Sequence, residues 1–147
     1  MKRLLLALSL FALAACGGNS IAPSSVPSGP VNSSTWTLSV SDAVLSPHAV
    51  GTITVIASRT YVYGKDQTIN GIPAFCYPLA NPQTEDKGSY YVSESDTAHQ
   101  FDTSDIMGKG KLNDAMNQVC FKANTTVYQV HPNVSYTLTL YFRDKHA

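Results

Sequence analysis

The sequence predicts a mostly β protein: an antiparallel β-sandwich with one short helix, preceded by a disordered tether. Apolar residues recur with a period of two in several short runs, separated by Gly, Pro, Asn and Ser, which is the pattern of half-buried strands. The 113 residues from Thr35 to Ala147 suffice for one hydrophobic core. Only 14% of the 147 residues are charged, which excludes a solvated coiled coil and a charge-driven disordered chain. Ten Lys+Arg balance ten Asp+Glu and no basic run occurs, so the chain has no electrostatic footprint for nucleic acid.

At the N-terminus, Lys2 and Arg3 precede residues 4–14, which are apolar except for Ser9. A basic start before so short an apolar run is a secretory signal, since a membrane-spanning helix needs roughly 18 to 20 such residues. Leu13-Ala14-Ala15-Cys16 follows, and it resembles the lipobox of bacterial lipoproteins. The resemblance implies a signal peptide over residues 1–15, diacylglycerol on the Cys16 thiol and a mature chain beginning at Cys16. It implies a place in the cell envelope, anchored to the membrane through lipid. Gly17, where Asp favours inner-membrane retention, implies the outer membrane if the host has one. From Gly17 to Ser34, 14 of 18 residues are Gly, Ser, Pro or Asn and none is charged. Residues 16–34 are therefore expected to be a lipidated, disordered tether, about 25 Å long as a coil and about 55 Å as polyproline II.

Within residues 35–147, Trp36, Leu38 and Val40 alternate with Thr35, Thr37 and Ser39, which predicts a strand. Residues 51–58 carry Ile53, Val55 and Ala57 on one face and Thr52, Thr54 and Ile56 on the other. Weaker strand signals cover residues 60–63, 73–77, 90–93 and 99–103. The clearest run is last: Val134, Tyr136, Leu138, Leu140 and Phe142 against Ser135, Thr137, Thr139 and Tyr141. Residues 125–130 form a β-rich run before it, and His131-Pro132-Asn133 predicts a hairpin between the two. Leu112, Ala115, Met116, Val119 and Cys120 recur at helical spacing and predict the short helix over residues 111–121. Several short strands at this spacing indicate a sandwich, with a small barrel as the alternative. The proline-containing turn and alternating strand of residues 46–58, with the terminal hairpin from Tyr128 to Tyr141, resemble immunoglobulin-like domains of bacterial surface proteins. Trp36 departs from the antibody pattern because it precedes both later cysteines.

With Cys16 lipidated, Cys76 and Cys120 remain, an even number in an exported chain, and a disulfide is expected. A metal pair or catalytic thiol is disfavoured by the apolar setting of Cys76 and by the lack of a nearby His. His48, His99, His131 and His146 are scattered, and no local metal-binding spacing or nucleophile motif occurs. Gly108-Lys109-Gly110-Lys111 lacks the spacing of a phosphate loop. No cofactor is called for, and no metal site is expected.

Two surface features suggest recognition. Glu94, Asp96, Asp102 and Asp105 cluster between Lys87 and Lys109 with no intervening Lys or Arg, a segment suited to a basic partner or, with less support, to Ca²⁺. Five of eight tyrosines, Tyr61, Tyr63, Tyr77, Tyr90 and Tyr91, fall within 31 residues among Gly, Asn and Ser, the composition of adaptable binding surfaces. Tyr61, Tyr63, Tyr90 and Tyr91 with the four acids are the candidate partner-binding residues. The expectation is a non-enzymatic envelope lipoprotein whose β domain binds a protein or glycan partner. Two alternatives stay open: an inhibitor of a cationic cell-wall hydrolase such as lysozyme, and an enzyme whose site is assembled from distant residues such as His99, His131 and Asp102.

Overall fold

A computed structural model describes residues 33–83, 87–99, 101 and 105–146. The last strand explains the sheet best, because its sequence is buried on both sides. β9, Ser135–Asp144, lies between β2, Ile53–Val62, and β5, Gly88–Asp96, and is antiparallel to both. Tyr136, Leu138 and Leu140 face the main core, while Thr139 and Tyr141 are buried on the opposite face. That is why the run alternates between large apolar groups and Thr or Tyr, with no charge until its end.

β1, Ala43–Val50, adds outside β2, and β6, Ile106–Leu112, adds outside β5. β7, Gln118–Phe121, and β4, Phe75–Pro78, complete a seven-stranded antiparallel sheet in the order β1-β2-β9-β5-β6-β7-β4. The sheet curls as a half-barrel, and β1 and β4 are its edge strands. β3, Gln67–Ile69, and β8, Tyr128–Val130, form a separate two-stranded ribbon. The β class and antiparallel pairing thus match the sequence-based expectation. The observed disulfide joins β4 to β7, neighbours in one sheet, whereas the immunoglobulin arrangement joins two facing sheets.

Four elements differ from expectation. Residues 111–121 are no helix: they hold the end of β6, a tight turn and β7. The Asn113 side chain closes this turn by accepting from the N–H groups of Asn117 and Gln118, and Met116 takes a positive φ of 55°. Gly110 decides the register. A Cβ there would stand 2.5 Å from Val119 Cγ2 and 2.6 Å from Phe121 Cζ, so β7 packs against bare backbone. The helical spacing of Leu112, Val119 and Cys120 arises from two strands read end to end.

The expected hairpin through His131-Pro132-Asn133 has its turn but not its pairing. β8 pairs with β3 and β9 with β2 and β5, so the turn is a corner between two sheets. Trp36 and Leu38 are buried and Thr37 exposed, as alternation predicts, but this segment is an extended lead-in and not a strand. It is docked where Trp36 N–H donates to Gly71 O at 2.8 Å and Asn70 N–H to Ser34 O at 2.7 Å. Gly71 is required there: its φ is +73°, and a Cβ would meet Asn124 O at 2.1 Å. Pro47, expected in a turn, lies within β1, where an edge strand tolerates a missing N–H.

Candidate functional site

The chemical candidates fall in four places. Cys16 and Asp102 lie outside the described residues, as does most of the weak strand signal at residues 99–103. Tyr61, Tyr63 and Tyr90 are core residues, 2%, 1% and 5% exposed, so they form no exposed recognition surface. Their hydroxyls explain the burial. Trp36 Nε1–H donates to Tyr63 Oη at 2.8 Å, while Tyr61 Oη accepts from Thr37 N–H at 2.8 Å and donates to Thr37 O at 2.5 Å. Burial pushes the Tyr63 hydroxyl up to about 12, with the Trp36 hydrogen bond acting against it. Tyr91 is half-buried on the opposite sheet face, stacked on Tyr141 with ring centroids 5.4 Å apart. Phe101 meets the Tyr141 ring edge-on at 5.1 Å, so this second face is also covered by aromatic packing.

Cys76 and Cys120 are directly opposed in the β4–β7 pair and form the disulfide. It fastens an edge strand whose sheet pairing is with β7 alone. The bond is structural in placement, with a half-buried Phe75 and a buried Phe121 stacked alongside at 4.9 Å.

The β5–β6 connection gathers Glu94, Asp96 and Asp105 at one end of the sheet. Asp105 O accepts from Glu94 N–H at 3.3 Å. Burial, then the neighbouring Asp96 and Asp105 carboxylates, push Glu94 up to about 7, with His99 acting in the other direction. Glu94 Oε1 is buried without a hydrogen-bond partner. At Asp96 burial works upward, but hydrogen bonds from the His99 ring and the His99 and Ala98 N–H groups outweigh it and hold the carboxyl low. His99 is tied to Asp96 at 2.9 Å, and His131 to Asp66 at 2.6 Å, each an exposed pair with its own carboxylate. Among the described residues, no group of three or more His, Cys, Asp or Glu side chains could hold a metal ion.

A concavity lies elsewhere, between the two edge strands. It is an open groove of about 510 Å³. Val40, Ala43 and Val44 line it from the β1 side, and Tyr77 to Ala80 with Asn81 and Gln83 line it from the β4 side. Thr54, Ile56, Tyr90 and Phe142 complete it from the sheet, with Tyr90 and Phe142 in ring contact at 5.0 Å. β2 carries a bulge at this groove: Val55 pairs with Tyr141 and Ala57 with Leu140, leaving Ile56, a lining residue, as the extra one. β1 also slips its register between Ala43 and His48. The groove is apolar with few polar groups, the usual make-up of a ligand site. Tyr77 is 3% exposed, and its hydroxyl is buried with no hydrogen-bond partner. Burial, then the Asp42 carboxylate, push that hydroxyl upward, so it stays protonated near neutrality. Asp42 itself accepts from Ser39 N–H at 2.7 Å and stands 3.9 Å from Arg59 Nη1.

Of the expected binding residues, Tyr90 lines this groove, while Glu94, Asp96 and Asp105 sit at the β5–β6 end of the sheet. Ile56, Val44 and Phe142 were missed as groove residues, and Tyr77, one of the five clustered tyrosines, was not among the candidate binding residues. A signal was present: residues 73–83 and β1 contain no Lys, Arg, Asp or Glu, although edge strands are usually guarded by charge. No family model, curated protein or solved structure matches the chain.

Proposed function

We propose that this protein is a non-enzymatic lipoprotein of the cell envelope, tethered through Cys16 and binding its partner or ligand in the groove between β1 and β4. The open apolar groove carries this reading. It is bounded by two uncharged edge strands, and Leu45 of β1 is 94% exposed. Such edges offer unpaired backbone groups as well as apolar contact. The lipobox, the uncharged tether and the placement of the domain outside the cytoplasm, where the disulfide would persist, fit together as one address. Kinship with immunoglobulin-like surface domains is the finer form of the fold reading; antiparallel pairing supports it, and the within-sheet disulfide weighs against it.

The test is site-specific photocrosslinking in the native host, from full-length chains carrying the crosslinker at Val44 or Ala80, with exposed Val127 as the distant control. A species captured reproducibly from Val44 and Ala80, absent from Val127 and lost from the Val44 position in Ala80→Trp, is the expected result. Equal capture from all three positions refutes the groove as the binding place.

A second reading, inhibition of a cationic cell-wall hydrolase, draws on the grouping of Glu94, Asp96 and Asp105. Lysozyme activity unaffected by micromolar protein refutes it.

A further inference from the structure

We propose that the groove takes an uncharged, largely apolar small molecule bearing one hydrogen-bond acceptor, which the Tyr77 hydroxyl meets. The proposal rests on the reading of the groove as the binding place and specifies its ligand.

Size is the first support. A volume of about 510 Å³ falls within the roughly 300–1,000 Å³ of small-molecule sites. The second is Tyr77. Buried hydroxyls in native proteins nearly always have a partner, and this one, nine-tenths buried or more, has none among the described residues. The contrast with Tyr61 and Tyr63 is informative: both are equally buried, and both have partnered hydroxyls. Tyr77 lines the groove with its hydroxyl covered by neighbouring atoms, so a ligand oxygen reaches it by displacing them and then supplies what the protein does not.

Charge selects the ligand class. No Lys, Arg or His side chain is among the residues lining the groove. Among the described residues, the formal charge acting on Tyr77 is the Asp42 carboxylate, which is already hydrogen-bonded to Ser39 and close to Arg59. A carboxylate or phosphate head entering the groove would lose its hydration and meet negative charge without a counter-ion. A ketone, ester or amide oxygen enters at far lower cost and accepts from the protonated hydroxyl. Asn81 and Gln83 provide further neutral polar contact.

The test uses the full chain in lipid nanodiscs, labelled with [4-¹³C]tyrosine, with empty nanodiscs controlling for ligand partitioning. The signals of Tyr77 and Tyr90 are assigned by their loss in Tyr77→Phe and Tyr90→Phe. The probes are 2-decanone and decanoate, similar in tail and different in head-group charge. The expected result is a saturable shift of both signals by 2-decanone, with decanoate at least tenfold weaker. Followed at Tyr90, Tyr77→Phe should weaken 2-decanone about fivefold, and Ala80→Trp should abolish binding. Decanoate binding as tightly as the ketone overturns the uncharged-ligand assignment while leaving the groove a ligand site. Unchanged 2-decanone affinity in Tyr77→Phe overturns the role of the hydroxyl. If neither probe moves either signal, the inference fails, and the binding-domain reading is judged separately by the crosslinking from Val44 and Ala80.

Discussion

Removing one oxygen from Tyr63 should cost far more than removing one from Tyr77, although both tyrosines are core residues. In Tyr63→Phe, the ring is retained and only Oη is lost. That oxygen accepts from Trp36 Nε1–H at 2.8 Å, and Trp36 and Tyr63 are each 1% exposed. The deletion leaves a buried indole N–H without an acceptor, a penalty of about 1–3 kcal/mol. For a domain of this size, that lowers Tm by about 4–13 °C. In Tyr77→Phe, the lost hydroxyl had no partner, so the variant sheds a buried unsatisfied group and should be as stable as the parent or more so, by up to about 1 kcal/mol. Trp36 is the single tryptophan of the chain and reports both unfolding and its own surroundings. Urea titration followed by Trp36 emission gives the midpoint and slope for each variant. A lower midpoint with unchanged slope is expected for Tyr63→Phe, together with a changed native emission. Equal destabilisation of the two variants would refute the argument, because it would mean that hydroxyl satisfaction does not distinguish them.

Three further outcomes follow from particular contacts. Glu94 stays protonated up to about pH 7 in the folded chain but ionises near 4.5 when unfolded, so its contribution is present below pH 4.5 and is lost as pH rises through 7. The side chain is only half-buried, so the effect is discounted to about 1 kcal/mol, and Glu94→Gln should flatten the decline in urea midpoint from pH 5 to 8; a parallel decline in the variant counts against it. Replacing both Cys76 and Cys120 by Ser opens a link between residues 44 apart and should cost about 4 kcal/mol in the chain-entropy account, and a loss under about 1 kcal/mol would show that β4 is held mainly by other contacts. Gly110→Ala drives a methyl into Val119 and Phe121 and should lose about 1–3 kcal/mol, whereas Gly108→Ala, with its nearest contact at 3.7 Å, should be near neutral; thermal melts that rank them in reverse would contradict the observed β6–β7 packing.

Much of the β character was legible because a strand's side-chain period is short enough to be seen within ten residues. β9 is the clear case: its alternation names the residues on each face before any partner is known. The cysteine pair was legible by parity once Cys16 was set aside. Residues 111–121 misled for a local reason. Two strand ends and a turn placed apolar groups three and four apart, and nothing in that window shows Cys120 facing Cys76 from 44 residues away.

By itself, the sequence determined the alternating strands, the absence of charge along the groove's edges and the expectation of an envelope address through residues 1–34. It could place Tyr61 and Tyr63 on one face but could not say that the face is covered, since Trp36 reaches Tyr63 only across a separation of 27 residues. Only the tertiary structure decided that β8 leaves β9 to pair with β3, that the second sheet face carries its own aromatic layer, and that residues from Val40 to Phe142 meet in one groove. These are non-local pairings. They depend on sheet order, bulge position and curl, quantities that no short window of residues encodes.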